Sequence, residues 1–220
     1  MISETQMQHP QSGLLSAIVA NALQPNNYEL LRRLGQVLNI GSQSRVLLIA
    51  DNADQARRVL ETGLGCRVEI YVGDLGRLPY EARYFDNAIV AVPILKGLHA
   101  IARELSRVLR PNGTLGMVVL SAYRDQLPDD EQLSAQVLPL IATTRPAAGY
   151  RAVLAECGFT AFVTDDRKRD LRRAALASYR QHMLPENAEV PRVQDTVTQA
   201  IGLLATGGVG VMLITAEKSL

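Results

Sequence analysis

A short, uninterrupted apolar segment constrains the fold of this chain most strongly. Residues Arg45–Ala50 read Arg-Val-Leu-Leu-Ile-Ala, without the alternation of polar and apolar residues that marks a half-exposed strand. A continuously apolar strand is buried on both faces, as it is in a parallel sheet covered by helices on both sides. The segment therefore predicts one strand of a parallel α/β sheet.

Further strand and helix patterns alternate along the chain. The strand patterns lie at Arg67–Val72, Asn87–Val92, Thr114–Leu120, Phe159–Val163 and Val209–Thr215. The helix patterns lie at Gln55–Glu61, Leu98–Leu109, Gln132–Leu140, Tyr150–Cys157, Leu171–Met183 and Thr196–Leu204. This alternation predicts a Rossmann-like, doubly wound and mostly parallel sheet. We expect Arg45–Ala50 near its centre, and Val209–Thr215 antiparallel to Phe159–Val163 or Thr114–Leu120.

Two amphipathic patterns precede the sheet, at residues 14–23 and Tyr28–Leu38. We assign residues 1–40 to an N-terminal helical extension and residues 41–220 to one α/β domain. A chain of 24.0 kDa can bury about 70% of its unfolded surface, which is enough for one sizeable core. The extension, or an edge of the sheet, is where we expect a protein partner or a second copy to bind.

Composition excludes several classes of function. With 47% apolar and 20% charged residues the chain is not disordered, and a net charge of +1 gives no basic surface for nucleic acid. Two cysteines and three widely separated histidines form neither a disulfide framework nor a metal site. No segment resembles a signal peptide or a membrane span, so we expect a soluble, cytoplasmic protein without membrane insertion.

Ligands of doubly wound sheets bind beyond the carboxyl ends of the strands. The segments at these ends are Asp51–Asp54, Gly73–Leu75 and Val92–Leu95. Structural roles compete with ligand contacts at several positions. Asp51 and Asp54 are also suited to cap the following helix, and Asp74 to cap a turn with Gly73 and Gly76.

The motifs of the chain resemble those of class I S-adenosylmethionine-dependent methyltransferases, in particular small-molecule enzymes such as those of quinone biosynthesis. The matching residues are Asp74, Leu78-Pro79, Phe85-Asp86, Glu104–Gly113 and Gly158-Phe159. The resemblance covers about Arg45 to Thr164. It implies that the cofactor-binding candidates are Ala50, Asp51, Asn52, Asp74, Leu75 and Val92. Outside that site, we expect Arg107 and Arg110 on a solvated helix face or at its carboxyl end.

The chain departs from this family at the cofactor turn. The family pattern is Asp-x-Gly-x-Gly-x-Gly, whereas Leu48–Asp54 contains no glycine and Leu48 replaces the acid. Glycine there lets the backbone approach the cofactor, because a Cβ atom would block it. Gly73 follows Asp51 by only 22 positions, so we predict that one strand–helix step is missing and that the sheet has six strands. Glu69 is the remaining candidate for a ribose-binding acid, although it lies inside its strand.

Two functions follow, and one rival fold. The chain is either a methyltransferase relative that binds S-adenosylmethionine weakly or not at all and acts as a binding, scaffolding or regulatory subunit, or an active methyltransferase on a small molecule. No general base is evident, and His99 is the histidine nearest the expected pocket. The rival is a degenerate receiver domain, which Val46–Asn52 resembles. A receiver would have five parallel strands.

Overall fold

The computed structural model of the chain describes residues 28–50, 53–92, 94, 96–122, 144–167 and 209–220. The strands are β1 (Arg45–Ala50), β2 (Arg67–Ile70), β3 (Phe85–Ala91), β4 (Leu109–Ala122), β5 (Phe159–Asp166) and β6 (Val209–Lys218). The helices are α1 (Tyr28–Val37), α2 (Ala53–Leu64), α3 (Leu98–Val108) and α4 (Ala147–Glu156). The helix patterns at residues 14–23, 132–140, 171–183 and 196–204 lie outside the described residues.

The described strands form one sheet of six, in the order β2-β1-β3-β4-β6-β5. The pairs β1–β2, β1–β3 and β3–β4 are parallel, while β6 runs antiparallel to both β4 and β5. The mostly parallel α/β sheet and the antiparallel last strand are confirmed. The antiparallel β6 also departs from the all-parallel, five-stranded sheet of a receiver.

The expected position of β1 was wrong, because β1 is second from an edge rather than near the centre. Its outer neighbour β2 is the edge strand of the described sheet. Between Ala53 and Gly73 the structure contains one helix and one strand, so the predicted loss of a strand–helix step is confirmed. Without that step no further strand lies outside β2 among the described residues, and β1 moves toward the edge.

Strand β4 begins earlier than predicted, at Leu109 instead of Thr114. It runs through the Pro-Asn-Gly segment because the pairing with β3 shifts register between Phe85 and Asn87, which accommodates these residues as an irregularity. Gly113 is required there: a Cβ atom would lie 2.8 Å from the carbonyl oxygen of Arg110 and 2.9 Å from that of Asp86.

Two apolar layers cover the sheet. On one face, α3 and α4 pack over strand residues such as Leu47 and Met117. On the other face, α1 and α2 pack over β1, where Leu34 and Leu60 meet Leu48. No helix in the described part of the chain is long and apolar enough to cross a membrane.

Helix α1 is attached to the sheet by hydrogen bonds as well as by packing. The carbonyl oxygen of Leu38 accepts bonds from Asn87 Nδ2 and Thr114 Oγ1, each at 3.0 Å. Gly116 on β4 provides the space for the helix, since a Cβ atom there would lie 2.8 Å from Leu38 Cδ1. The carboxyl end of α1 is therefore fixed to the middle of the sheet.

Candidate functional site

The candidate site lies where β1, β2 and β3 end side by side. These strands are parallel, so their carboxyl ends open to one edge of the sheet. Ala50 pairs in register with Ala91, which brings the predicted residues Ala50 and Val92 to neighbouring strand ends, both half-buried. Asp51 and Asn52 lie outside the described residues. The other two candidates, Asp74 and Leu75, lie in the connection after β2.

Helix α2 begins three residues after the end of β1. β1 ends at Ala50 and α2 begins at Ala53, so helical backbone starts within the stretch that carries glycines in the family pattern. Ala53 is buried, whereas Asp54 lies in the first turn of α2 and pairs with Arg57 at 3.8 Å. The suggestion that Asp54 is the helix cap was wrong, since it lies inside the helix. Its negative charge there is favourable near a helix amino terminus.

Asp74 caps a turn. Its Oδ1 accepts the backbone N–H of Gly76 at 2.9 Å, and its carbonyl oxygen accepts Arg77 N–H at 3.2 Å. The Tyr71 hydroxyl also donates to that carbonyl oxygen, at 3.1 Å. This is the turn-capping role that the sequence allowed as an alternative to cofactor contact. Leu75 beside it is half-buried and packs against the apolar layer on the α3 side.

Glu69 is engaged by an aromatic neighbour. Its Oε1 accepts the hydroxyl of Tyr84 at 2.9 Å. Tyr84 belongs to a cluster that we call the aromatic cluster, formed by Tyr71, Tyr80, Tyr84 and Phe85. Burial is the main reason why the pKa of Tyr80 is raised above its ordinary value, and the charge of Glu69 adds to it. The aromatic cluster fills one side of the connection between β2 and β3.

Sequence reasoning missed the interaction that holds this connection in place. Arg107 on α3 donates Nη1 to Tyr80 O at 2.7 Å and Nη2 to Leu78 O at 2.9 Å. The same guanidinium binds both carboxylate oxygens of Glu104 at 2.8 Å, and Glu104 accepts Leu78 N–H at 2.8 Å. Arg107 lies in the last turn of α3, so the expected position at the carboxyl end of the helix is confirmed, but its guanidinium is engaged by these acceptors and is only partly exposed. The Glu-x-x-Arg spacing was the available signal, because residues three apart are neighbours on a helix.

Asp86 joins the starts of three strands. Asp86 Oδ2 accepts the backbone N–H of Arg45 at 2.6 Å, and Asp86 Oδ1 pairs with Arg110 Nη1 at 2.6 Å. Arg110 lies in β4 rather than on a helix, because β4 begins at Leu109. Asp86 and Arg110, like Glu104 and Arg107, belong to the motifs that resemble the methyltransferase family. The Asp86 contacts lie at the strand starts, away from the candidate site, whereas Glu104 and Arg107 hold the connection that also carries Asp74 and Leu75.

The remaining reactive side chains do not form a site among the described residues. His99 Nε2 lies 2.7 Å from Glu156 Oε2 on the exposed surface between α3 and α4. Burial raises the pKa of the neighbouring Cys157 thiol, so it is a poorer nucleophile than a free cysteine. No group of three metal-ligating side chains occurs in the described part of the chain.

The geometry can be compared with known proteins. No family model matches the sequence, and no curated protein matches it. Solved structures do match. A Galdieria sulphuraria protein named as a sarcosine dimethylglycine methyltransferase aligns with a TM-score of 0.72 at 15% identity, over 88% of this chain and 86% of that one. The chain has the class I methyltransferase fold.

Two other structural neighbours differ in reaction. Haemonchus contortus phosphoethanolamine N-methyltransferase 2, in complex with S-adenosylhomocysteine, aligns with a TM-score of 0.74 at 12% identity. The match covers 98% of this chain but only 59% of that one. SpnF, a [4+2]-cyclase, aligns with a TM-score of 0.56 at 17% identity, over 88% of this chain and 81% of its own. One fold thus carries different chemistry, so the fold leaves the reaction of this chain open.

Proposed function

We propose that this chain is a methyltransferase-fold protein with a degenerate S-adenosylmethionine site, and that it acts as a non-catalytic binding, scaffolding or regulatory subunit. The observation that carries the proposal concerns the acidic residues expected at the cofactor site. Leu48 stands where the family has one acid, and the other two candidates, Glu69 and Asp74, are engaged by groups of the chain itself.

Leu48 is the first reason. In the family that the sequence resembles, the acid at this position contacts the amino-acid part of the cofactor. The Leu48 side chain is fully buried and packs into the apolar layer under α1 and α2. A leucine offers no acceptor for an ammonium group. An ammonium left without a partner in a closed pocket costs on the order of 1–3 kcal/mol or more.

The engaged carboxylates are the second reason. A ribose hydroxyl that takes Glu69 Oε1 must compete with Tyr84, and an adenine amine that takes Asp74 Oδ1 must compete with Gly76 N–H. Each internal bond contributes about 1 kcal/mol in a folded protein. Ligand contacts at these two oxygens would therefore bring little net gain, which leaves only the second oxygen of each carboxylate to a ligand.

The turn after β1 is the third reason. Helix α2 starts at Ala53, and Ala50 and Asp54 stand at positions where the family pattern has glycine. A Cβ atom prevents the close backbone approach that glycine allows. The fit between these residues and the cofactor is poor, so we derive no reaction step through it.

A thermal-shift experiment tests the proposal. A site with a low-micromolar dissociation constant would be stabilised by roughly 4 kcal/mol at a thousandfold excess of ligand over that constant. For a chain of this size that corresponds to a rise in Tm of about 8–16 °C. We expect no such rise with S-adenosylmethionine or S-adenosylhomocysteine. A rise of that size would refute the proposal and favour an active methyltransferase that acts on a small molecule.

A further inference from the structure

The outer edge of β2 carries hydrogen-bonding groups without a partner strand in the described sheet. The N–H group of Tyr71 donates to Leu48 O in β1, and that of Arg67 donates to Ser44 O, immediately before β1. Alternate residues of a strand direct their backbone groups to opposite sides, so those of Val68 and Ile70 point away from β1. Strand β2 is the edge of the described sheet, and no described strand pairs with these outward-pointing groups.

The two edges of the sheet differ in how they are protected. Strand β5, at the opposite edge, is interrupted by a register shift between Thr160 and Val163, with Ala161 at a φ of 51°. Bulges of this kind discourage pairing with a further strand. The register of β2 against β1 is continuous from Arg67 to Ile70. Beyond its carboxyl end, Val72 is an apolar side chain with 84% of its surface exposed. Edge β2 is thus the one suited to accept a strand.

The charges of β2 identify the strand that fits. Arg67 is exposed, lies in register beside Arg45, and has no ion pair among the described residues. Glu69, two positions along, lies on the same face of the strand because side chains alternate. Its Oε1 is bound by Tyr84, which leaves Oε2 for another donor. The strand therefore presents one cation and one anion, side by side, at an open edge.

We propose that a second copy of this chain pairs with it, β2 antiparallel to β2, about a two-fold axis at Val68. In this register Val68 forms a hydrogen-bonded pair with Val68 of the partner subunit, and Ile70 does so with the partner's Cys66. Arg67 then faces Glu69 of the partner subunit, and Glu69 faces the partner's Arg67. These are non-hydrogen-bonded positions, where side chains are closest.

Neighbouring registers are less favourable. An axis at Arg67 would place two arginines opposite each other, and an axis at Glu69 would place two glutamates opposite each other. Like charges in directly opposed positions destabilise a strand pair. A two-fold axis between two residues would place the outward-pointing backbone groups of one strand opposite backbone groups of the other that already bond to β1. Since β2 has only four residues, we expect a dimer of micromolar affinity rather than an obligate one.

Charge reversal on the full chain tests this register. Arg67→Glu and Glu69→Arg each convert both symmetry-related pairs from attraction to repulsion. We expect either variant to dimerise about thirtyfold more weakly, which corresponds to about 2 kcal/mol. Mass is measured by sedimentation equilibrium over a range of concentrations, with Arg58→Ala on α2 as an exposed control that keeps the dimer.

Mixing the two variants gives the decisive result. In a homodimer of either variant, residue 67 faces a like charge at residue 69 of the partner subunit. In a heterodimer of the two variants it faces an opposite charge, so the mixture should form a heterodimer of near wild-type affinity. Circular dichroism of each variant confirms that Glu69→Arg still folds without its bond to Tyr84. A monomeric wild-type chain, a dimer unaffected by Arg67→Glu, or variants that stay monomeric when mixed would each overturn the proposal. The readout is mass, so the outcome is separate from that of cofactor binding.

Discussion

Truncation of Arg107 should destabilise the chain far more than an ordinary surface substitution. In Arg107→Ala, the carbonyl oxygens of Leu78 and Tyr80 lose their charged donors, at 2.9 and 2.7 Å. Hydrogen bonds to charged groups contribute about 1.5–3 kcal/mol each when buried. Because the Arg107 side chain is 36% exposed, water in the variant compensates part of each lost hydrogen bond, and we take about 1 kcal/mol per bond. The helical pair with Glu104 adds about 0.3–0.5 kcal/mol.

The expected loss is therefore about 2 kcal/mol, or a fall in Tm of about 4–8 °C for a chain of this size. Urea denaturation measures it, with Arg58→Ala as the matched control on an exposed face of α2 and an expected change below about 0.5 kcal/mol. Arg107→Lys should recover only part of the loss, because an ammonium cannot reproduce the bidentate contact. Hydrogen exchange should quicken between residues 71 and 84, the segment that Arg107 holds.

Lowering the pH provides an independent check on the pair of Arg107 and Glu104. The hydrogen bond from Arg107 is the main cause that lowers the pKa of Glu104 below its ordinary value of 4.5. The stability linked to this lowering is present above pH 4.5 and is lost as pH falls through the lowered pKa. The difference between wild type and Arg107→Ala should shrink over that range. The reasoning fails if Arg107→Ala costs no more than Arg58→Ala at neutral pH.

Two further predictions concern stability. Gly113→Ala places a Cβ atom 2.8 and 2.9 Å from two backbone oxygens, so we expect a loss of about 2–3 kcal/mol in urea denaturation. Gly41→Ala, with nothing within 4 Å of the new atom, is its control, and equal losses would refute the steric argument. Tyr150→Phe removes a buried 2.8 Å bond to Leu120 O, and we expect a loss of about 1–2 kcal/mol. Burial raises the pKa of Tyr150 to about 12, so the stability linked to this shift is present below pH 10 and is lost as pH rises toward 12. Tyr150→Phe should lessen that loss of stability at high pH. An unchanged pH profile of stability would contradict this.

The sheet could be predicted from sequence because its strands are continuously apolar. Val46–Ile49 is buried on both faces, and the alternation of such runs with helices permits few architectures. The missing strand–helix step was also predictable, since the interval of 22 positions from Asp51 to Gly73 cannot hold two strands and two helices. The same loss accounts for the position of β1, because removing a strand on one side moves β1 toward that edge.

The motif residues were harder to interpret. Glu104, Arg107 and Arg110 mark the family resemblance, and their contacts with Leu78, Tyr80 and Asp86 depend on which segments the fold brings together. Sequence spacing reveals the Glu104–Arg107 pair but not the carbonyl groups it binds. The same holds for Glu69, whose partner Tyr84 lies fifteen residues away. Strand ends therefore predict which residues lie at the site, while the groups that engage them depend on the three-dimensional fold.

Calorimetric titration with S-adenosylmethionine tests the central claim of a degenerate cofactor site most directly. We predict a dissociation constant above roughly 100 µM, about 2 kcal/mol or more weaker than a low-micromolar site. Asp74→Ala serves as the companion variant: any residual binding at the predicted site should weaken, and an unchanged affinity would place the ligand elsewhere. Saturable binding of the wild-type chain at low micromolar concentration would contradict the account.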